Sequence, residues 1–190
     1  MKDKRWLNIQ NTQRDIRHNL ELNSIFGNKI YPTPNNFQMN LDEKDRRLLT
    51  LLQDDSKRTT KSLATALDLS VTAVFERIKK LEKQKVIEKY VALVDRKLVH
   101  RDFMVLCHVK LIQHSKEYIT RFEREITAFP EVLECFHVSG DYDYILKISV
   151  ADIQEYREFM VTKLTNLQHI ASTQSSFMIK EVKSTTAVPL

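Results

Sequence analysis

Between residues 60 and 83 the apolar positions describe two short helices crossing at a tight turn, and this stretch constrains the chain more than any other. Leu63, Ala64 and Leu67 form one stripe and Leu69 sits in the turn, after which Val74, Ile78 and Leu81 resume a helical stripe. That spacing reads as a helix-turn-helix. Ser70 is placed to cap the second helix, and Leu69 with Val74 can form the apolar staple that sets its entry angle.

Stepping round the second helix at about 100° per residue sorts its side chains into two sets. Val71, Val74, Phe75, Ile78 and Leu81 cluster inward, while Thr72, Ala73, Glu76, Lys79, Lys80 and Lys83 point away with Arg77 on the flank. Small and polar groups lie near the N-terminus, where a recognition helix meets base edges, and lysines lie further along, where phosphates would be. A plain solvated face, with Glu76 pairing to Lys80 one turn on, accounts for the same pattern.

Upstream, Asp42 is placed as the N-cap of a helix whose apolar side is Leu48, Leu49, Leu51 and Leu52, ending near Asp54 and Asp55. A third helix is needed because two alone cannot enclose a core. Lys57 and Arg58 in the following loop are free to meet phosphates. Downstream, residues 86–92 have β-type content, as the wing of a winged-type head would, and residues 93–101 form a connector. Lys85 occupies the place where a helix ordinarily ends in a left-handed glycine.

The second half alternates and then turns helical twice. Phe103, Val105, Cys107, Val109 and Leu111 share one strand face, and Met104, Leu106, His108 and Ile112 the other. Tyr118, Phe122, Ile126 and Phe129 follow at helical spacing; residues 132–138 and 144–150 read as strands about a turn at 139–141; residues 153–167 read as a helix; and 170–182 holds the last strand. The order is βαββαβ, that of a ferredoxin-like sandwich with two helices on one sheet face. Apolar residues on the other face predict burial against a second chain. The fold class is thus α+β: a winged-type helix-turn-helix head at 41–90, a connector at 91–101 and a ferredoxin-like body at 102–190.

Composition narrows the function classes. The chain is 42% apolar and 29% charged, without a membrane-length apolar run or a signal peptide, which points to a cytoplasmic protein. Lys plus Arg against Asp plus Glu number 6 against 3 in residues 1–38, 12 against 9 in 41–90, and 12 against 13 in 91–190. A mildly basic head on a near-neutral body suits a nucleic-acid reader attached to a part with another task. Cys107 and Cys135 lack metal-ligand spacing and read as reduced, buried thiols, and the histidines are scattered, each solvated or satisfied in a core, so no metal or cofactor is expected. An enzyme would have to use His108, His137 or Cys135, and no third group is evident to orient them.

Residues 1–38 differ from the rest, with Asn, Gln and charges leading to a Tyr31-Pro32-Thr33-Pro34 stretch that cannot continue a helix. They read as an extension that is either disordered or partly helical, the helical part falling at residues 9–22. Met39, immediately before the patterned region, is expected to be the true initiator; an intact native mass that includes Trp6 would refute this.

Residues 41–59 (LDEKDRRLLTLLQDDSKRT), 63–95 (LATALDLSVTAVFERIKKLEKQKVIEKYVALVD), 130–159 (PEVLECFHVSGDYDYILKISVADIQEYREF) and 182–190 (VKSTTAVPL) together resemble the Lrp/AsnC family, the feast/famine regulators. The resemblance covers all but the first 40 residues. It implies a transcription regulator that binds double-stranded DNA, dimerises through its body, assembles into octamers in many members, and takes an amino acid as effector in clefts between dimers. Lys57, Arg58, Ser70, Thr72, Ala73, Glu76, Arg77, Lys79, Lys80 and Lys83 are the DNA-binding candidates. Gly140, Asp141, Tyr142 and Asp143 match the family's G-D-Y-D loop and, with Thr173 and Ser175, are the effector candidates. There Gly140 would permit close backbone approach, Asp141 or Asp143 would hold an ammonium, and the hydroxyls would meet a carboxylate. A bare hairpin turn accounts for the same loop residues. A different class, a small-molecule sensor acting through protein partners, would use the head for interaction alone. The chain departs from the family at Lys85, at Val99-His100 and at Gln168-His169, where glycines are usual.

Overall fold

The computed structural model describes residues 41–190, so the expectations for the N-terminal extension and for Met39 lie outside the described residues. The chain divides into two compact units at Leu48, within the first helix.

The unit ending at Leu48 contributes the start of α1 (Glu43–Asp54). Its cap is the expected one, since Asp42 Oδ1 accepts the Asp45 N–H at 2.7 Å. Leu48 is fully buried.

The unit from Leu49 carries everything that follows. Helix α2 (Thr60–Leu67) starts on a Thr59 cap and ends at Asp68, whose left-handed backbone makes the turn. Helix α3 (Val71–Lys83) starts on Ser70, whose hydroxyl accepts the Ala73 N–H at 3.1 Å. Leu63, Ala64, Leu67, Val74 and Leu81 are buried, as their spacing requires. Lys85 closes α3 at φ 59, and His100 adopts φ 54 in the connector, so both positions keep the left-handed shape without glycine. Residues 86–92 form no strand: Val86 and Ile87 bend back to bond the Leu81 carbonyl, and the rest have no ladder partner among the described residues, which a strand requires.

Four strands follow: β1 (Phe103–Leu111), β2 (Val132–His137), β3 (Tyr144–Val150) and β4 (Ile170–Phe177). They form one sheet in the order β2-β3-β1-β4, all neighbours antiparallel. Helices α4 (Lys116–Ile126) and α5 (Ile153–Thr162) complete the βαββαβ order. The expected long second helix breaks after Thr162, and a 3-10 turn (Leu164–Asn166) replaces its end. Val105, Cys107, Val109, Leu146, Ile148, Phe122, Ile126, Tyr156 and Phe159 make one buried core between helices and sheet. The opposite face carries Leu106, Ile145 and a half-exposed Phe136, flanked by an ion pair between Lys147 and Glu134 at 2.9 Å.

Past β4 the chain runs on without regular structure and is pinned at two places. Glu181 pairs with Arg96 of the connector, and Val188 exchanges two hydrogen bonds with the Gln53 amide of α1, at 2.8 and 3.1 Å.

Candidate nucleic-acid interface and effector loop

Helix α3 is fixed at its start and held by one face. The Ser70 cap satisfies one N–H of the first turn, and the buried pair Val74 and Leu81 orients the rest of the helix. Thr72, Glu76, Lys79, Lys80 and Lys83 are exposed as expected, while Ala73 and Arg77 are half-buried. Two residues are not where periodicity put them: Val71 and Phe75 are 50% and 48% exposed rather than inward. Only Val74, Leu81 and in part Ile78 reach the interior, because a helix docked by one face buries a narrower stripe than its apolar positions suggest. The Phe75 ring lies under Lys79, whose ammonium is 5.7 Å from the ring centroid and 3.1 Å from Glu82.

Beside this helix, Lys57 is exposed. Arg58 is not free as expected: its guanidinium pairs with Asp54 at 2.7 Å, one turn back, so a phosphate would have to displace an exposed carboxylate.

The hairpin at residues 139–143 is more committed than a loose turn. Asp143 Oδ2 accepts the Leu111 N–H at 2.8 Å, its Oδ1 meets His114 Nε2 at 2.7 Å, and its own N–H donates to Val109 at 2.9 Å. The carboxylate therefore fastens β3 to the end of β1. Tyr142 donates its hydroxyl to Gln174 and sets its ring tilted, 5.3 Å from His108, with both partners on the open sheet face. Asp141 is exposed. Gly140 has φ +125, and a Cβ there would meet nothing within 4 Å, so the glycine serves the turn's backbone and not a close approach.

Thr173 and Ser175 do not join this cluster. Their register opposite Val109 and Cys107 puts them on the helix-facing side, and the Ser175 hydroxyl is bonded to Tyr156 of α5. The expected effector set is thereby split across the sheet's two faces, for a strand shows alternate residues to opposite sides.

Sequence reasoning also missed His169. Its ring is buried, neither nitrogen has a hydrogen-bond partner among the described residues, and Glu125 lies 3.7 Å away, too far to bond. The expectation that every histidine is solvated or satisfied fails there. A small cavity of about 160 Å³ opens beside it, lined by Glu117, Tyr118, Arg121 and Gln168. No metal-binding cluster occurs among the described residues.

Burial, aided by Glu123, pushes the Cys135 thiol up to about 11, and burial raises Cys107 as well. His137 is stacked flat on Tyr144 at 4.6 Å, and its strand neighbour Cys135 stays protonated at neutral pH.

Comparison with known proteins matches both halves. Residues 41–88 match a winged helix-turn-helix DNA-binding family, and residues 104–188 match the Lrp/AsnC ligand binding domain. The DNA-binding transcriptional activator DecR of Escherichia coli is 34% identical over 150 residues, covering 79% of this chain and 99% of DecR. A crystal structure of an AsnC family transcriptional regulator from Agrobacterium tumefaciens superimposes with a TM-score of 0.75 at 36% identity, covering 78% of this chain and 96% of that one. A transcriptional regulator from Neisseria meningitidis solved as an L-Met complex gives the same TM-score at 30% identity, with coverage of 78% and 96%.

Proposed function

Because the chain belongs to the Lrp/AsnC family of transcriptional regulators, we propose that its oligomer presents paired α3 helices to DNA and that an amino acid bound near the residue 140–143 hairpin modulates it. It is a DNA-binding transcriptional regulator and not an enzyme. The observation that carries the detailed reading is the capped, solvent-facing α3 with its lysines toward the C-terminal end.

In this reading the DNA-binding domain spans residues 41–90, and a connector at 91–101 leads to the dimerising and effector-binding body at 102–190. Thr72, Ala73, Glu76 and Arg77 approach base edges, while Lys57, Arg58, Lys79, Lys80 and Lys83 meet phosphates and Ser70 fixes the helix start. Phosphate contacts position the protein and base contacts choose the sequence. Two copies joined through the open sheet face at Leu106, Ile145 and Phe136 place their helices about 34 Å apart, or a multiple of that, to meet successive major grooves. Octamers would form from such dimers, and the protein would work in the cytoplasm, beside its DNA.

The effector contacts narrow to Gly140, Asp141, Tyr142 and Asp143, joined by His108 and Gln174 on the same face, with Thr173 and Ser175 supporting the strand from behind. An amino acid offers an ammonium to the carboxylates and a carboxylate to N–H groups. The L-Met complex of the Neisseria relative supports an amino acid as the ligand class.

Mobility-shift assays at low salt with DNA from upstream of the gene test the first arm, and the absence of any shift would favour a sensor that works through protein partners. A thermal-shift screen against the twenty amino acids tests the second, since a ligand that binds only the folded form raises the melting temperature. A flat screen would sink the effector arm.

A further inference from the structure

We propose that Val71 and Phe75 are specificity-determining residues that read the methyl groups of thymines in the major groove. This rests on the reading of α3 as the groove helix and deepens it.

Both side chains are half exposed although both are strongly apolar, and they lie one turn apart on one flank of α3. Their separation along the axis is about 6 Å, close to two base-pair steps of about 3.4 Å. They occupy the N-terminal half of the helix, where base edges are met, with Thr72 and Ala73 beside them.

The surroundings select the occupant. Lys79 stands over the Phe75 ring while pairing with Glu82, and Lys80 and Lys83 follow on the exposed surface, so the apolar pair is bordered by lysines toward the C-terminal end of the helix. Lysines beside a small apolar patch complement a phosphate-lined groove. Within that groove the only apolar group that a base presents is the C5 methyl of thymine. Val71 and Phe75 supply apolar contact area, and the lysine over the ring ties that contact to the phosphate register. Direct reading by hydrogen bonds then falls to Thr72 and Glu76 at the neighbouring positions.

The experiment uses the full-length protein and a duplex that it selects from a random-sequence pool. Thymines are replaced one at a time by uracil, which keeps the O4 acceptor and the pairing and removes only the methyl. Binding is measured at fixed salt for the wild type, Val71→Ala and Phe75→Ala. At one or two thymines the wild type should bind the uracil duplex about fourfold less tightly, equivalent to ~0.8 kcal/mol for one buried methyl. Phe75→Ala or Val71→Ala should bind the thymine duplex more weakly and be indifferent to that replacement, while Phe75→Leu should recover part of the discrimination. Unchanged melting temperatures would confirm that the variants fold.

Uracil duplexes bound as tightly as thymine duplexes by the wild type would overturn the inference, as would a methyl effect of equal size in every variant. In both cases strong salt-dependent binding would persist, and the DNA-binding reading of α3 would stand. Failure of the wild type to select any duplex would remove that reading and this inference together.

Discussion

Along α3 the side chains of Thr72, Glu76 and Lys83 stand in solvent, whereas at the hairpin Tyr142 and Asp143 have committed their polar atoms to Gln174, Leu111 and His114. Both regions begin from the same kind of device, an oxygen that takes a backbone N–H: Ser70 for Ala73, and Asp143 for Leu111. The cap leaves the surface beyond it open, so the face proposed to read DNA is presented by a single chain. The Asp143 contact instead holds two strands in register, so a ligand at that carboxylate must compete with the fold. Ligand binding there would shift the balance between arrangements of the loop, which is how an effector gains leverage over a protein.

The sharpest way to break this contrast is to remove the Asp143 carboxylate. Asp143→Ala leaves the N–H of nearly buried Leu111 without its acceptor and should cost about 2 kcal/mol in urea unfolding. Glu76→Ala on α3 should stay within about 0.5 kcal/mol. Equal costs would mean that the hairpin carboxylate is as free as the helix surface.

Alkaline pH should weaken the body next. Burial raises Cys135, Tyr144 and Tyr156, with Glu123 adding to the first two. The folded state therefore keeps protons that the unfolded chain releases above ordinary values of 9.0 for the thiol and 10.0 for the phenols. Stability from these groups is complete at neutral pH and is lost as pH rises past about 9, at up to ~1.4 kcal/mol per pH unit for each group. Denaturation series from pH 8 to 11 should show the fall, and Tyr156→Phe should make it shallower above pH 10. A flat profile would contradict the burial of these groups.

Ser70→Ala should cost about 1 kcal/mol and weaken DNA binding through a frayed α3 start, read by calorimetry and mobility shift. Smallest of all in stability, Lys83→Ala should leave folding within about 0.5 kcal/mol but lower the slope of log affinity against log salt by about 1. An unchanged slope would remove Lys83 from the phosphate contacts.

Much of the fold was legible because short-range rules govern it. Ser70 and Asp42 cap the helices that their positions announce, and β3 runs over the seven residues that alternation marks. Lys85, flagged because a side chain stands where glycine is usual, is left-handed as the helix end demands, and His100 does the same at another such departure. The site was less legible. Ser175 carries a hydroxyl suited to a ligand, but strand parity turns it toward α5 and Tyr156 takes it. Phe75 sits on the apolar side of the helical wheel, yet it remains 48% exposed, for no element among the described residues buries it. Residues 86–92 have strand composition and no ladder, because hydrogen bonding needs a neighbour that the local sequence does not supply.

By itself the sequence determined the elements, their order and the helix to which the rest of the head is fitted, since caps, periodicity and turn residues act over a few positions of chain. Only the tertiary structure decided which apolar residues are covered, which sheet face each β4 side chain takes, and that Asp143 is a strand fastener. Those outcomes depend on contacts between segments far apart in sequence, as Asp143 with Leu111 and Tyr156 with Ser175 demonstrate.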